Sequence, residues 1–177
     1  MNYQAIVGML ERYVAPSTLF KWGFNLSPMF RTSTARVTDV SDDLLDIRVR
    51  LPLSWRNRNY VGSIFGGSMF SAVDPFPMVQ LMQLIGKDYV VWDKSAEVLF
   101  KRPGREPLYA NFTYTVEELE MIRARVASGN EFDYVKVTQL TNEAGDKVFC
   151  EIRKTLYIAS KSHYRTKLAS RSAENRA

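Results

Sequence analysis

The sequence predicts an α+β fold, a curved antiparallel sheet of about five to six strands wrapped around a long central helix, with extra helices at the N-terminus. Two patterns carry this reading. Between Gly67 and Ile85 nearly every residue is apolar or small on all sides, and a helix that is hydrophobic all round belongs inside a protein. Before and after that run, apolar and polar residues alternate with the period of two that a strand with one wet face requires. The helix falls between the second and third strands, so the sheet must curl to cover it.

The elements follow in order. Ile6, Met9, Leu10 and Tyr13 recur at helical spacing over residues 2–14, Ala15-Pro16 stops that run, and a short helical stretch follows around Ser17 to Gly23. Residues 1–30 are therefore read as a helical cover. Leu45, Ile47, Val49 and Leu51 alternate with Asp46, Arg48 and Arg50, and residues 32–40 pair with them through the turn Ser41-Asp42-Asp43. After Gly86, Ala96, Val98 and Phe100 form one face of a strand, Arg102-Pro103-Gly104 turns the chain, and Leu108, Ala110, Phe112 and Tyr114 continue in the next. Leu119, Ile122 and Val126 mark a helix over 117–128 that Gly129-Asn130 stops. Strands over 133–140 and 147–158 flank the turn Asn142 to Gly145, and Val148, Cys150, Ile152, Leu156 and Ile158 supply the inward face of the last.

The chain has 177 residues, of which 46% are hydrophobic, enough for one substantial core without a break in composition. Residues 1–160 are read as a single domain, and residues 161–177, polar, basic and aperiodic, as a flexible tail. The tail holds much of the net charge of +5, through Lys161, Arg165, Lys167, Arg171 and Arg176. No nucleic-acid motif accompanies that charge, so nucleic acid is not an expected partner. Glu11 and Arg12 cut short the apolar run from Ala5 to Leu10, so neither a secretion leader nor a transmembrane segment is expected. Cys150 is the lone cysteine, which excludes an intrachain disulfide and points to a reducing, cytoplasmic setting.

The one histidine, His163, lies in the tail, so a histidine-based triad or metal centre on the core is excluded unless the tail folds back. No metal or cofactor is expected. What remains is a carboxylate with backbone donors. Gly66-Gly67 opens the central helix, where unpaired N–H groups can meet developing negative charge; equally, the pair can serve a tight turn or close packing. Asp74 stands about two turns on among Phe70, Ala72, Val73 and Phe76. A carboxylate there is either a base or nucleophile, or the N-cap of a helix restarted at Pro75. Pro75 and Pro77 predict a kink just after it. Arg56, Arg58, Lys101, Arg102 and Arg105 are candidate phosphate contacts or simply solvated loop charges. Trp55 and Trp92 are read as core or interface anchors, and Cys150 as a small core residue.

Asn59, Gly62, Phe65-Gly66-Gly67 and Asp74 reproduce the spacing of an Asn, Gly, His-Gly-Gly and acid signature, and Phe100 to Gly104 followed by Leu108 and Ala110 resembles the strand-turn-strand beyond it. On these residues the chain resembles the hotdog-fold thioesterase superfamily, in particular its phenylacetyl-CoA thioesterase-like group and a related branch of uncharacterised proteins, over about residues 30–158. The resemblance implies an acyl-CoA thioesterase in which Asp74 activates water or attacks the carbonyl, Gly66 and Gly67 hold the oxyanion, and Asn59 positions substrate or water. It also implies substrate contacts at Phe65, Arg58, Lys101, Arg102 and Ser68, with coenzyme A present as part of the substrate. A homodimer or homotetramer with shared sites follows from the same likeness, and exposed edge strands favour pairing independently. Phe65 stands where the superfamily has histidine and offers only an apolar contact. The alternative is a non-catalytic acyl or acyl-CoA binding hotdog protein.

Overall fold

A short N-terminal pair of helices packs against one end of a sheet, and a longer broken helix crosses the concave face of that sheet. The computed structural model describes residues 14–174; the helix expected over 2–14 lies outside them but for its last residue. The elements are α1 (Pro16–Leu26), α2 (Pro28–Thr32), β1 (Arg36–Val40), β2 (Asp46–Leu51), α3 (Gly66–Val73), α4 (Pro75–Ile85), β3 (Tyr89–Phe100), β4 (Leu108–Thr113), α5 (Val116–Gly129), β5 (Glu131–Thr141), β6 (Val148–Ser160) and α6 (Lys161–Glu174). The strands form one six-stranded sheet in the order β1-β2-β4-β5-β6-β3, antiparallel at every pairing.

The expected central helix is two helices that meet at Asp74. Proline has no N–H, so Pro75 and Pro77 leave the carbonyls of Ser71 and Val73 without their helical donors. The axis breaks there although the Asp74 backbone stays helical, with φ −45° and ψ −50°. Met69, Ala72, Val73, Phe76, Leu81 and Ile85 are buried, whereas Met82 is 46% exposed, so the second half of this helix is not enclosed all round.

Two polar anchors hold α4 in place. Gln80 is fully buried and donates from Nε2 to the carbonyls of Leu44, Leu45 and Phe112. The Tyr114 hydroxyl, also buried, donates to the Pro77 carbonyl at 2.8 Å. On the other side a chain of rings joins α1 and α2 to the sheet through α4: Phe24 lies 4.7 Å from Phe76, which lies 4.7 Å from Phe112, and Phe30 meets Phe76 edge-on at 5.3 Å.

β3 begins at Tyr89, well before the alternation visible in the sequence. Its register against β6 shifts between Asp93 and Ser95, where Lys94 is the extra residue. Val91 and Asp93 therefore share the concave face with Ala96, Val98 and Phe100, a step of three in an otherwise two-residue period. Trp92 points the other way, 5.4 Å from Tyr157. It is 44% exposed, and Trp55 is 87% exposed, so neither is a core anchor.

Residues 161–174 correct the expectation of an aperiodic tail, because they form α6. This helix packs on the convex face: Tyr164 meets Trp92 edge-on at 5.2 Å, and Lys167 Nζ lies 2.6 Å from Glu131 Oε2. Glu131 also accepts a hydrogen bond from the Tyr157 hydroxyl, and His163 Nε2 stands 3.3 Å away. These contacts include an ion pair and edge-on rings rather than an apolar stripe that periodicity could reveal.

The Lys167 hydrogen bond and then the Tyr157 hydroxyl hold the Glu131 carboxyl down to about 2, below the ordinary glutamate value of 4.5. A depressed carboxylate stabilises the folded state above its ordinary value and loses that contribution as pH falls through the depressed one. Docking of α6 is thus expected to weaken between about pH 4.5 and pH 2. Trp92 fluorescence should report that transition, and Glu131→Gln should show the acid-state signal already at neutral pH.

Candidate functional site

The loop from Leu51 to Gly66 is built around two asparagines. Asn57 is 3% exposed; its Oδ1 accepts from the Ser54 amide and hydroxyl, and its Nδ2 donates to Thr34 Oγ1 and the Pro52 carbonyl. Asn59 Oδ1 accepts from the amides of Val61 and Ser63, and its Nδ2 donates to Ser63 Oγ. The chain reverses between them and α3 through Gly62, whose φ of +78° suits glycine. Ile64 N–H then donates to the Gly104 carbonyl at 2.8 Å, which stitches this loop to the β3–β4 connection.

Between those two connections lies an open cavity of about 480 Å³, lined by Asn59, Ser63, Gly66, Phe100, Lys101 and Arg102 among others. Four of the sequence-predicted residues therefore come together: Asn59, Gly66, Lys101 and Arg102. The Asn59 amide is occupied by its own loop, so its part is to shape the wall. Lys101 and Arg102 both donate their amides to the Phe149 carbonyl, which fixes their backbone while the side chains reach the rim. Arg58, Phe65, Gly67, Ser68 and Asp74 do not line this cavity.

Gly66 and Gly67 occupy the first two positions of α3, where no preceding helical carbonyl can accept their N–H groups. Neither has positive φ. Their missing side chains are used for close approach: a β-carbon on Gly66 would stand 2.8 Å from the Phe100 ring, and one on Gly67 would stand 2.3 Å from the Phe65 ring. Phe65 itself is 58% exposed, with its carbonyl accepting from Ser68 and Met69. Both rings wall the glycine pair with apolar surface.

Asp74 lies at the other end of α3. Eight residues of helix place it about 12 Å from Gly66. Its side chain makes no capping bond to α4. It faces Lys154 on β6: Lys154 Nζ donates to Asp74 Oδ1 at 2.6 Å and to the Asp74 carbonyl at 2.8 Å, and lies 2.7 Å from Asp93 Oδ2 on β3. The Lys154 side chain is 2% exposed, against 44% for Asp74 and 31% for Asp93. A buried ammonium thus serves two carboxylates that keep contact with water. Burial pushes the Asp93 carboxyl above its ordinary value; the Lys154 hydrogen bond and charge oppose this, and the nearby Asp74 charge adds to it.

Lys154 and Asp93 were not among the sequence candidates, yet a signal exists for the first. The inward residues of the last strand are Cys150, Ile152, Leu156 and Ile158, and Lys154 occupies the position they skip. Asp93 is hidden by the bulge. Beside Lys154 on the concave face, its cross-strand neighbour Lys136 pairs with Glu118 at 2.7 Å and covers the Tyr114 ring. Cys150 is fully buried, and burial pushes its thiol up to about 11, as an unreactive core residue. His163 stays on the convex face with Glu131.

Among the described residues no helix is long and apolar enough to cross a membrane, and no group of His, Cys, Asp and Glu gathers into a metal site. A six-stranded antiparallel sheet curved about a central helix is the hotdog fold, and the structure is similar to solved hotdog proteins. One is a probable thioesterase of unknown function from Pseudomonas aeruginosa, at 18% identity and TM-score 0.67, covering 81% of this chain and 93% of that one. Another, of unknown function, is from Chlorobaculum tepidum, at 17% identity and TM-score 0.64, covering 81% and 94%. A thioesterase from Haemophilus influenzae follows at 13% identity and TM-score 0.55, covering 80% and 88%. At these identities the likeness is one of fold. Residues 17–158 match the family described as "Domain of unknown function (DUF4442)", and the chain belongs to that family. Among curated proteins, none matches this chain in sequence.

Asn57 was also missed by sequence reading, and it carries the loop. Asn57→Ala removes four hydrogen bonds from a buried group and is expected to cost about 2–4 kcal/mol of stability, since each such bond contributes about 1 kcal/mol. Urea unfolding measures this, and a variant within about 0.5 kcal/mol of the parent would contradict it.

Proposed function

We propose that the protein hydrolyses an acyl-CoA thioester, with Asp74 as general base and the Gly66 and Gly67 amides as the oxyanion site. The observation that carries this reading is the orientation of Asp74: one carboxylate oxygen is held by Lys154 while the side chain remains 44% exposed, so the other can address a water. Asp74 takes a proton from that water as its oxygen bonds to the carbonyl carbon. The carbonyl oxygen gains negative charge and is met by the glycine N–H groups. Collapse expels the thiolate of coenzyme A, which is protonated on release.

The distance of about 12 Å between Gly66 and Asp74 along α3 exceeds the span of one reacting carbonyl. A second copy supplies the missing half. β3 is an edge strand with Trp92 to Glu97 exposed, and pairing two such edges joins the sheets and brings one copy's glycines toward the other's Asp74. Lys101 and Arg102 at the cavity rim suit the coenzyme A phosphates, and the Phe65 and Phe100 rings suit the acyl portion. The resemblance in fold to thioesterases accords with this reading.

Phe65 in place of histidine favours a second reading, an acyl-CoA binding protein without turnover. A panel of acyl-CoA thioesters separates the two. Hydrolysis is expected, and Asp74→Asn should lower turnover by about two orders of magnitude while the variant stays folded and binds the thioester. Binding without hydrolysis across the panel would leave only the second reading. The phosphate contact has its own test. Replacing Lys101 and Arg102 with Ala should weaken coenzyme A thioesters more than an acyl thioester lacking the nucleotide, most strongly at low salt, and an equal effect on both ligands would contradict it.

A further inference from the structure

The concave face of β6 is apolar at Cys150, Ile152, Leu156 and Ile158, each fully buried, and is broken by a single lysine at 1% exposure. An ammonium in such a place is retained only with compensating partners. Its partners are unusual in kind. Lys154 holds both a side-chain oxygen and the backbone carbonyl of the same residue, Asp74, at 2.6 and 2.8 Å. The third partner, Asp93 at 2.7 Å, reaches the concave face through the register shift of β3. The ammonium is thereby fixed from two sides, and the Asp74 carboxylate is fixed at both its backbone and its side chain.

Asp74 needs such a brace. It stands at the break between α3 and α4, where Pro75 and Pro77 remove two helical hydrogen bonds. A carboxylate on an unbraced junction would sample several rotamers, and a base must hold its oxygen within about 0.5 Å of its working position. From this geometry we infer that Lys154, held by Asp93, is the positioning residue for Asp74, clamping one oxygen and the backbone so that the other oxygen faces the thioester and its water. The inference rests on Asp74 being the reacting carboxylate. Lys154, at 1% exposure, does not itself reach the substrate.

Positioning and simple structural support differ in one measurable way. A residue that acts through Asp74 loses its effect on turnover once Asp74 has been replaced, whereas a residue that only supports the fold lowers turnover in either background. The experiment measures kcat and KM for the acyl-CoA best hydrolysed, in the four proteins of a Lys154→Met and Asp74→Asn cycle, with circular dichroism confirming each fold. Lys154→Met is expected to lower kcat about tenfold or more with KM within about twofold, and to change the residual kcat of Asp74→Asn by no more than about twofold. Equal losses in both backgrounds, or no loss in either, overturn the inference. Should Lys154→Met leave two carboxylates that unfold the domain, the same cycle is run in Asp93→Asn, which removes one of those charges together with the lysine. Unfolding there too assigns the ammonium to stability and overturns the positioning role. Failure of the unmodified protein to hydrolyse any thioester would instead overturn the thioesterase reading itself, and the inference with it.

Discussion

The buried ammonium of Lys154 is the constraint around which the rest of this structure is arranged. A lysine nitrogen at the middle of an apolar sheet face is costly to desolvate, and removing one partner from such a pair typically costs about 3–5 kcal/mol. Three oxygens from two other elements meet that demand, one carboxylate from the helix break and one from the edge strand, together with a backbone carbonyl. The interaction therefore joins β6, the α3–α4 junction and β3 at one point. No apolar contact could do this with the same directional precision, because dispersion is blind to orientation and hydrogen bonds are not.

Two irregularities of the fold meet at that point. The prolines after Asp74 interrupt the helix and leave the residue at a junction that the lysine can reach. The register shift in β3 inserts Lys94 and turns Asp93 inward. A regular strand carrying Ala96, Val98 and Phe100 on the concave face would turn Asp93 away from the ammonium. The whole of α3 stands between the glycine pair and the carboxylate, and this is why the proposed chemistry calls on a second copy of the chain. Gln80 and Tyr114 then hold α4 to the sheet beyond the break, so that a helix in two pieces stays in one place.

The legible parts of the sequence were those governed by periodicity. Ile47, Val49 and Leu51 alternate without exception and sit where alternation places them. The central apolar run is a helix, and its break falls where two prolines put it. What periodicity could not reveal was any position where a polar group enters the apolar face. Lys154 appeared as an omission in the inward set of β6, and its partner Asp93 was masked because a bulge shifts the phase of β3. The helix at the C-terminus was missed for a different reason, since it docks through Lys167 on Glu131 and Tyr164 on Trp92 and shows no continuous apolar stripe. At the site, the glycine pair was found by spacing. Its close packing under Phe65 and Phe100 depends on contacts distant in sequence for Phe100, and those leave no local mark.

The arrangement at Lys154 can be observed directly, without any substrate. Lysine ammonium hydrogens in water exchange too quickly for detection at neutral pH, whereas those locked to carboxylates away from solvent exchange slowly. Heteronuclear NMR of the 15N-labelled protein at neutral pH should show a protected side-chain ammonium signal that disappears in Lys154→Met and exchanges faster in Asp93→Asn. A spectrum in which Lys154→Met removes no protected ammonium signal would contradict the account, because it would mean that the ammonium is hydrated and holds neither carboxylate.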